Sequence, residues 1–83
     1  MSVEVFYKAS VRRDLRKIDR KNIERILSEI RNILGTSPRK GEALRGEFAG
    51  LYKLRIVDYR VIYALMEQGV LVLRIRYRSK AYG

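Results

Sequence analysis

Cysteine and histidine are absent from the 83-residue chain. Without them there are no disulfides, no thiolate zinc sites and no imidazole metal ligands. The same absence excludes the imidazole acid–base pair that many ribonucleases use. The nine Asp and Glu residues are scattered along the chain, which leaves no pattern for two-metal catalysis. Neither a metal nor another cofactor is expected. Long apolar runs are missing as well. The longest, Val61 to Met66, falls far short of the ~20 residues that span a bilayer. The start, Met1-Ser2-Val3-Glu4, lacks the basic and apolar regions of a secretion signal. A soluble, cytoplasmic protein without a membrane partner is therefore expected. The length allows one domain, 1–83, and such a domain buries only about 60% of its unfolded surface. Its stability must come from good packing or from a bound partner.

What the chain does have is positive charge. It carries 19 Lys and Arg against 9 Asp and Glu, for a net charge of +10. A field of that strength on so small a domain favours polyanions as partners. Thirteen of the cations are Arg. Arginine presents a planar fork to phosphate and also stacks on bases, so the choice points to nucleic acid rather than to solubility alone.

The pattern along the chain predicts β-α-α-β-β-β, an α+β fold with a two-helix hairpin packed on one face of a largely antiparallel sheet. Residues 3–7 are β-prone. Ser10 is placed to cap a short helix with Val11, Leu15 and Ile18 at helical spacing, and Asp19 to cap a second. In the second, Ile23, Ile26, Leu27, Ile30, Ile33 and Leu34 repeat on one face until Gly35 and Pro38 end it. The glycine-rich segment 35–50 reads as a loop with a short strand at Ala43-Leu44. Three strands follow, over 51–56, 59–66 and 70–78, joined by turns at Val57-Asp58 and Glu67-Gln68-Gly69.

Strand alternation then sorts the side chains. Tyr52, Leu54, Ile56, Tyr59, Val61, Tyr63, Leu65, Leu71, Leu73, Ile75 and Tyr77 form the helix-facing set. On the opposite face Lys53, Arg55, Arg60, Arg74, Arg76 and Arg78 converge at one end of a meander, because one strand ends where the next begins. Like charges placed side by side destabilise a sheet unless an anion fills the cluster. Taken alone, Arg74 is also within reach of Glu67 or Glu4. Ile62, Ala64, Met66, Val70 and Val72 gather at the other end of that face. They are expected to form an exposed apolar patch, and so a protein-binding surface, unless the first strand or the 35–50 loop folds over them.

The stretch Leu44-Arg45-Gly46, Leu51-Tyr52-Lys53-Leu54-Arg55 and Asp58-Tyr59-Arg60-Val61-Ile62-Tyr63 resembles the RelE family of toxins, as does the ending Arg78-Ser79-Lys80-Ala81-Tyr82. The element order agrees over the whole chain. The resemblance implies the toxin of a type II toxin–antitoxin system, a metal-independent endoribonuclease that cuts mRNA on the ribosome. It also implies an acidic, RelB-like antitoxin as partner, which would take the apolar patch. Catalytic positions carried over by the resemblance are Lys53, Arg55, Arg60, Arg78 and Tyr82, with Arg76 the second choice for the arginine placed at Arg78. Arg74, Arg76, Arg45 and Lys80 are expected to bind RNA. Arg55 stands where the best-known relatives have a lysine thought to act as base, and arginine cannot lose its proton. Tyr77 stands where many relatives carry a histidine. The remaining candidates for the base are Lys53, crowded by like charge, and Tyr82. Two other readings stay open: a ParE-like toxin that binds DNA gyrase, and a non-catalytic RNA- or ribosome-binding protein.

Overall fold

The 3.6-residue apolar repeat after Asp19 produces the longest element of the computed structural model, which describes residues 3–77. That helix, α2 (Arg20–Leu34), buries Ile26, Ile30 and Leu34. Asp19 holds its N-cap position, with its carboxylate accepting from Asn22 Nδ2 at 2.8 Å rather than from a backbone N–H. The shorter helix α1 (Ala9–Leu15) buries Val11 and Asp14. Ser10 does not cap it. Lys8 is the N-cap, and the Ser10 hydroxyl donates to the Leu73 carbonyl at 2.6 Å, pinning the helix to the sheet.

The strands are β1 (Glu4–Tyr7), β2 (Glu42–Ala43), β3 (Leu51–Ile56), β4 (Tyr59–Met66) and β5 (Gly69–Tyr77). They form one sheet in the order β1-β5-β4-β3-β2, antiparallel except where β1 runs parallel to β5. The short strand of the 35–50 segment is Glu42–Ala43, one residue earlier than the pattern suggests. Neither β1 nor β2 folds over a sheet face, because each extends an edge. The helices and the sheet enclose Val11, Ile18, Ile26, Ile30, Leu34, Ile56, Val61, Tyr63, Val70, Val72 and Ile75. Tyr63 is fully buried, and its phenol is satisfied by the connecting segment. The hydroxyl donates to the Pro38 carbonyl at 2.8 Å and accepts from the Gly41 N–H at 2.9 Å. Burial, the largest cause, raises this phenol above its ordinary value, so it remains a donor. Gly41 must be glycine here, since a Cβ would sit 2.6 Å from the Tyr63 oxygen and 2.7 Å from the Lys53 carbonyl oxygen.

One expectation about the sheet is overturned. Val70 and Val72 are buried in the core, at 0% exposure, and so do not belong to an open apolar patch. The two-residue turn Glu67-Gln68 sets Leu65 opposite Val70 and Tyr63 opposite Val72. The next pair is Ile62 with Arg74, so Leu73 is an extra residue on β5, a bulge. The bulge reverses the alternation once. Before it, Val70 and Val72 face the helices and Leu71 faces out. After it, Ile75 faces the helices while Arg74 and Arg76 face out.

The β3–β4 turn is strained. Val57 has φ of 56°, a left-handed conformation that a β-branched residue rarely adopts. Val57→Gly is expected to raise stability by about 1 kcal/mol, as the left-handed penalty of ~1–2 kcal/mol is relieved and partly offset by the greater freedom of unfolded glycine. Urea unfolding of the two proteins measures it, and a less stable glycine variant would contradict the strain.

Candidate active site

The sheet face away from the helices is ordered in rows set by register. Phe6, Leu71, Ala64 and Leu51 lie side by side across four strands. The next row is Arg74, Ile62 and Lys53. Beyond it come Arg76, Arg60 and Arg55, three arginines on three adjacent strands. The tight Val57-Asp58 hairpin places Arg55 opposite Arg60, and the Leu73 bulge turns Arg76 to the same face. Five of the expected cations therefore do share one end of one face. Arg78, Lys80 and Tyr82 lie outside the described residues. Arg45 is exposed in the loop before β3, whose neighbour Leu44 bonds to Leu51 at the far end of that strand from Arg55. At ~3.3 Å per residue it stands roughly 13 Å or more from the arginine row.

The cluster is not free of acids. The Glu42 carboxylate approaches Lys53 Nζ at 3.9 Å. Glu42 and Lys40 join Gly41, Lys53, Leu54, Arg55 and Arg60 around a cavity of about 420 Å³. Neither Glu42 nor Lys40 was singled out from the sequence. The signal was the short strand in the 35–50 segment, and it becomes informative only once β2 is paired with β3, Glu42 facing Lys53.

Arg74 has a partner that strand alternation alone does not suggest. Its Nε and Nη2 each donate to Asp14 at 2.9 Å, and the Ile75 N–H donates to the same carboxylate at 2.9 Å. Asp14, not Glu67 or Glu4, holds it. Asp14 is buried, which by itself pushes its carboxyl up. The hydrogen bonds from Arg74 and Ile75 and the charges of Arg74 and Arg76 outweigh that, so the carboxyl lies below its ordinary value. This clamp occupies the edge of β5 beyond the four residues that β1 covers.

Tyr77, on the helix side of β5, pairs with Tyr59, and the two rings meet edge to face at 5.6 Å between centroids. It lies on the opposite face of the sheet from the arginine row.

Residues 5–82 match the family model described as the ParE toxin of the type II toxin–antitoxin system parDE. The chain belongs to this family. It is a toxin of the RelE/ParE superfamily, and solved structures place it beside the RelE branch. The toxin–antitoxin complex RelBE2 from Mycobacterium tuberculosis superposes with a TM-score of 0.81 at 29% identity, over 94% of this chain and 100% of that one. The archaeal RelE–RelB complex from Pyrococcus horikoshii gives 0.72 at 29% identity, over 98% and 100% of the two chains. An E. coli RelE mutant bound to a peptide of antitoxin RelBc gives 0.74 at 22% identity, over 93% and 84%, a likeness of fold. A search of curated protein sequences found no match. No helix among the described residues of the toxin is long and apolar enough to cross a membrane.

Proposed function

We propose that the toxin is a ribosome-dependent mRNA endonuclease. The observation that carries this reading is the row Arg55–Arg60–Arg76, which borders Lys53 and a cavity that also holds one carboxylate, Glu42. Three guanidiniums at neighbouring positions suit a phosphodiester, whose non-bridging oxygens gain charge as the reaction proceeds. The 2′-oxygen of the preceding ribose attacks phosphorus and the 5′-oxygen leaves. The products are a 2′,3′-cyclic phosphate and a 5′-hydroxyl. A base takes the 2′ proton, and a proton is delivered to the leaving 5′-oxygen. Glu42 is a candidate for the base alongside Lys53 and Tyr82, because a carboxylate accepts a proton without first having to lose one. The ribosome supplies much of the orientation of the mRNA. The family model carries the ParE name, which keeps gyrase binding as the second reading; the arginine row favours RNA.

The partner proposed for the open face is an acidic antitoxin, its apolar side on Phe6, Leu51, Ile62, Ala64, Leu71 and Met66 and its carboxylates over the arginines. Burying roughly 300 Å² of apolar surface there supplies about 7 kcal/mol before ordering costs.

Single-turnover cleavage on programmed ribosomes tests the assignment of the base. Glu42→Gln is expected to slow the chemical step about 10²-fold or more, as for loss of a general base, with ribosome affinity unchanged. A normal rate in Glu42→Gln with a slowed Lys53→Ala would return the role to Lys53. Normal rates in both would leave Tyr82 as the remaining candidate for the base.

A further inference from the structure

The end of β5 carries different groups to its two sides. Arg76 belongs to the arginine row, and the next residue, Tyr77, belongs to the helix side with Tyr59. These two tyrosines, with Asp14, Lys17, Ile18, Ile75 and Arg76, line a cleft of about 330 Å³. The size lies at the lower end of the range of small-ligand pockets, roughly 300–1,000 Å³. Tyr77 is 45% exposed, so part of its ring is available for contact. The Asp14 carboxylate is already occupied by Arg74 and the Ile75 N–H, and forms a fixed wall. Arg76 is common to the cleft and to the arginine row.

Proteins that hold single-stranded nucleic acid pair a cationic track for phosphates with aromatic rings for bases. The arginine row supplies the track, and the aromatic pair lies across the end of the sheet from it, with Arg76 lining the cleft as well as the row. Burial first, and then the charges of Asp19, the Tyr77 phenol and Asp58, raise the Tyr59 phenol above its ordinary value. Tyr59 therefore remains a hydrogen-bond donor at neutral pH.

We propose that this cleft is a nucleobase subsite, in which a base flanking the phosphate on the arginine row stacks against Tyr77 while Arg76 spans the two positions. The assignment rests on the arginine row being an RNA site. It gives Tyr77 and Tyr59 a role in holding substrate that the reaction centre itself does not require.

Fluorescence anisotropy of the full-length toxin with a short single-stranded RNA, made non-cleavable by 2′-O-methyl groups, tests both levels separately. Tyr77→Ala is expected to weaken binding about 10-fold, within the range reported for loss of one stacked base. The slope of log affinity against log salt stays unchanged, because no phosphate contact is removed. Tyr77→Phe keeps the ring and binds like wild type. Tyr77→Leu retains apolar bulk beside Tyr59 without a π-face, and is expected to bind as weakly as the alanine variant if circular dichroism shows it folded. Arg60→Ala lowers the salt slope by about one phosphate contact. Tyr77→Ala and Tyr77→Leu binding like wild type, while Arg60→Ala is weakened, would overturn the subsite alone. Unchanged affinity and salt slope in Arg60→Ala would overturn the RNA site on which it depends.

Discussion

Arg60→Ala is expected to slow ribosome-bound mRNA cleavage by about 10²–10³-fold, the effect typical of removing one preorganised donor to a developing oxyanion. Arg60 occupies the middle of the row, with Arg55 on one side and Arg76 on the other. A phosphate on this row meets Arg60 wherever along the row it sits, which is why this position is chosen over its neighbours. Stability is expected to stay within about 1 kcal/mol of wild type, since the change also removes one of three adjacent like charges. Rapid-quench kinetics with variant and wild type on the same programmed ribosomes, together with a urea titration, separates the two effects. A folded Arg60→Ala toxin that cleaves at the wild-type rate would move the reaction away from this face.

The second large effect belongs to stability. Asp14→Ala is expected to cost about 2–3 kcal/mol. Removing one partner of a fully buried pair costs roughly 3–5 kcal/mol, but Arg74 is 43% exposed and can turn to water, which lowers the figure. The Ile75 N–H also loses its acceptor. In a domain of this size the loss corresponds to a fall in Tm of about 10–20 °C. The pH dependence has a definite sign. The folded Asp14 carboxyl lies below its ordinary value, so its contribution is present above the carboxylate range and disappears as pH falls through the folded value. The stability difference between wild type and Asp14→Asn is therefore expected to be larger at pH 7 than at pH 2. Urea titrations at the two pH values measure it, and a difference that grows on acidification would show that the carboxylate is not held by Arg74 and Ile75.

Much of the fold was legible because periodic burial is a local signal. Ile26, Ile30 and Leu34 repeat at helical spacing and are buried as that spacing requires. Tyr52, Leu54, Val61 and Tyr63 alternate in strands and face the helices. The failure at Val70 and Val72 came from carrying a single alternation through all of β5. The turn contained the correction. A two-residue loop at Glu67-Gln68 pairs Leu65 with Val70 and Tyr63 with Val72, which would bring Arg74 opposite the core residue Val61. Only an extra residue between those positions restores Ile75 to the core, and Leu73 is that residue. Turn and strand, read together, imply the bulge; read separately, they do not.

Contacts between distant segments were beyond the reach of pattern. Asp14 and Arg74 are 60 residues apart, and neither helix spacing nor strand parity relates them. Glu42 reaches Lys53 through β2, whose two residues begin one position before the Ala43-Leu44 strand that the sequence suggests, so that reading leaves Glu42 in the loop. The cations, in contrast, were found early because charge clustering on one face survives small errors of register. Arg55, Arg60 and Arg76 sit together in the structure even though the first half of β5 was assigned to the wrong face.

Mapping RNA ends after the toxin acts on translating ribosomes separates mRNA cleavage from gyrase inhibition. Discrete cuts within the mRNA are expected, leaving 5′-hydroxyl and 2′,3′-cyclic phosphate ends and disappearing when Arg60→Ala replaces the wild-type toxin. Intact mRNA in the presence of active toxin, with DNA gyrase inhibited instead, would contradict it.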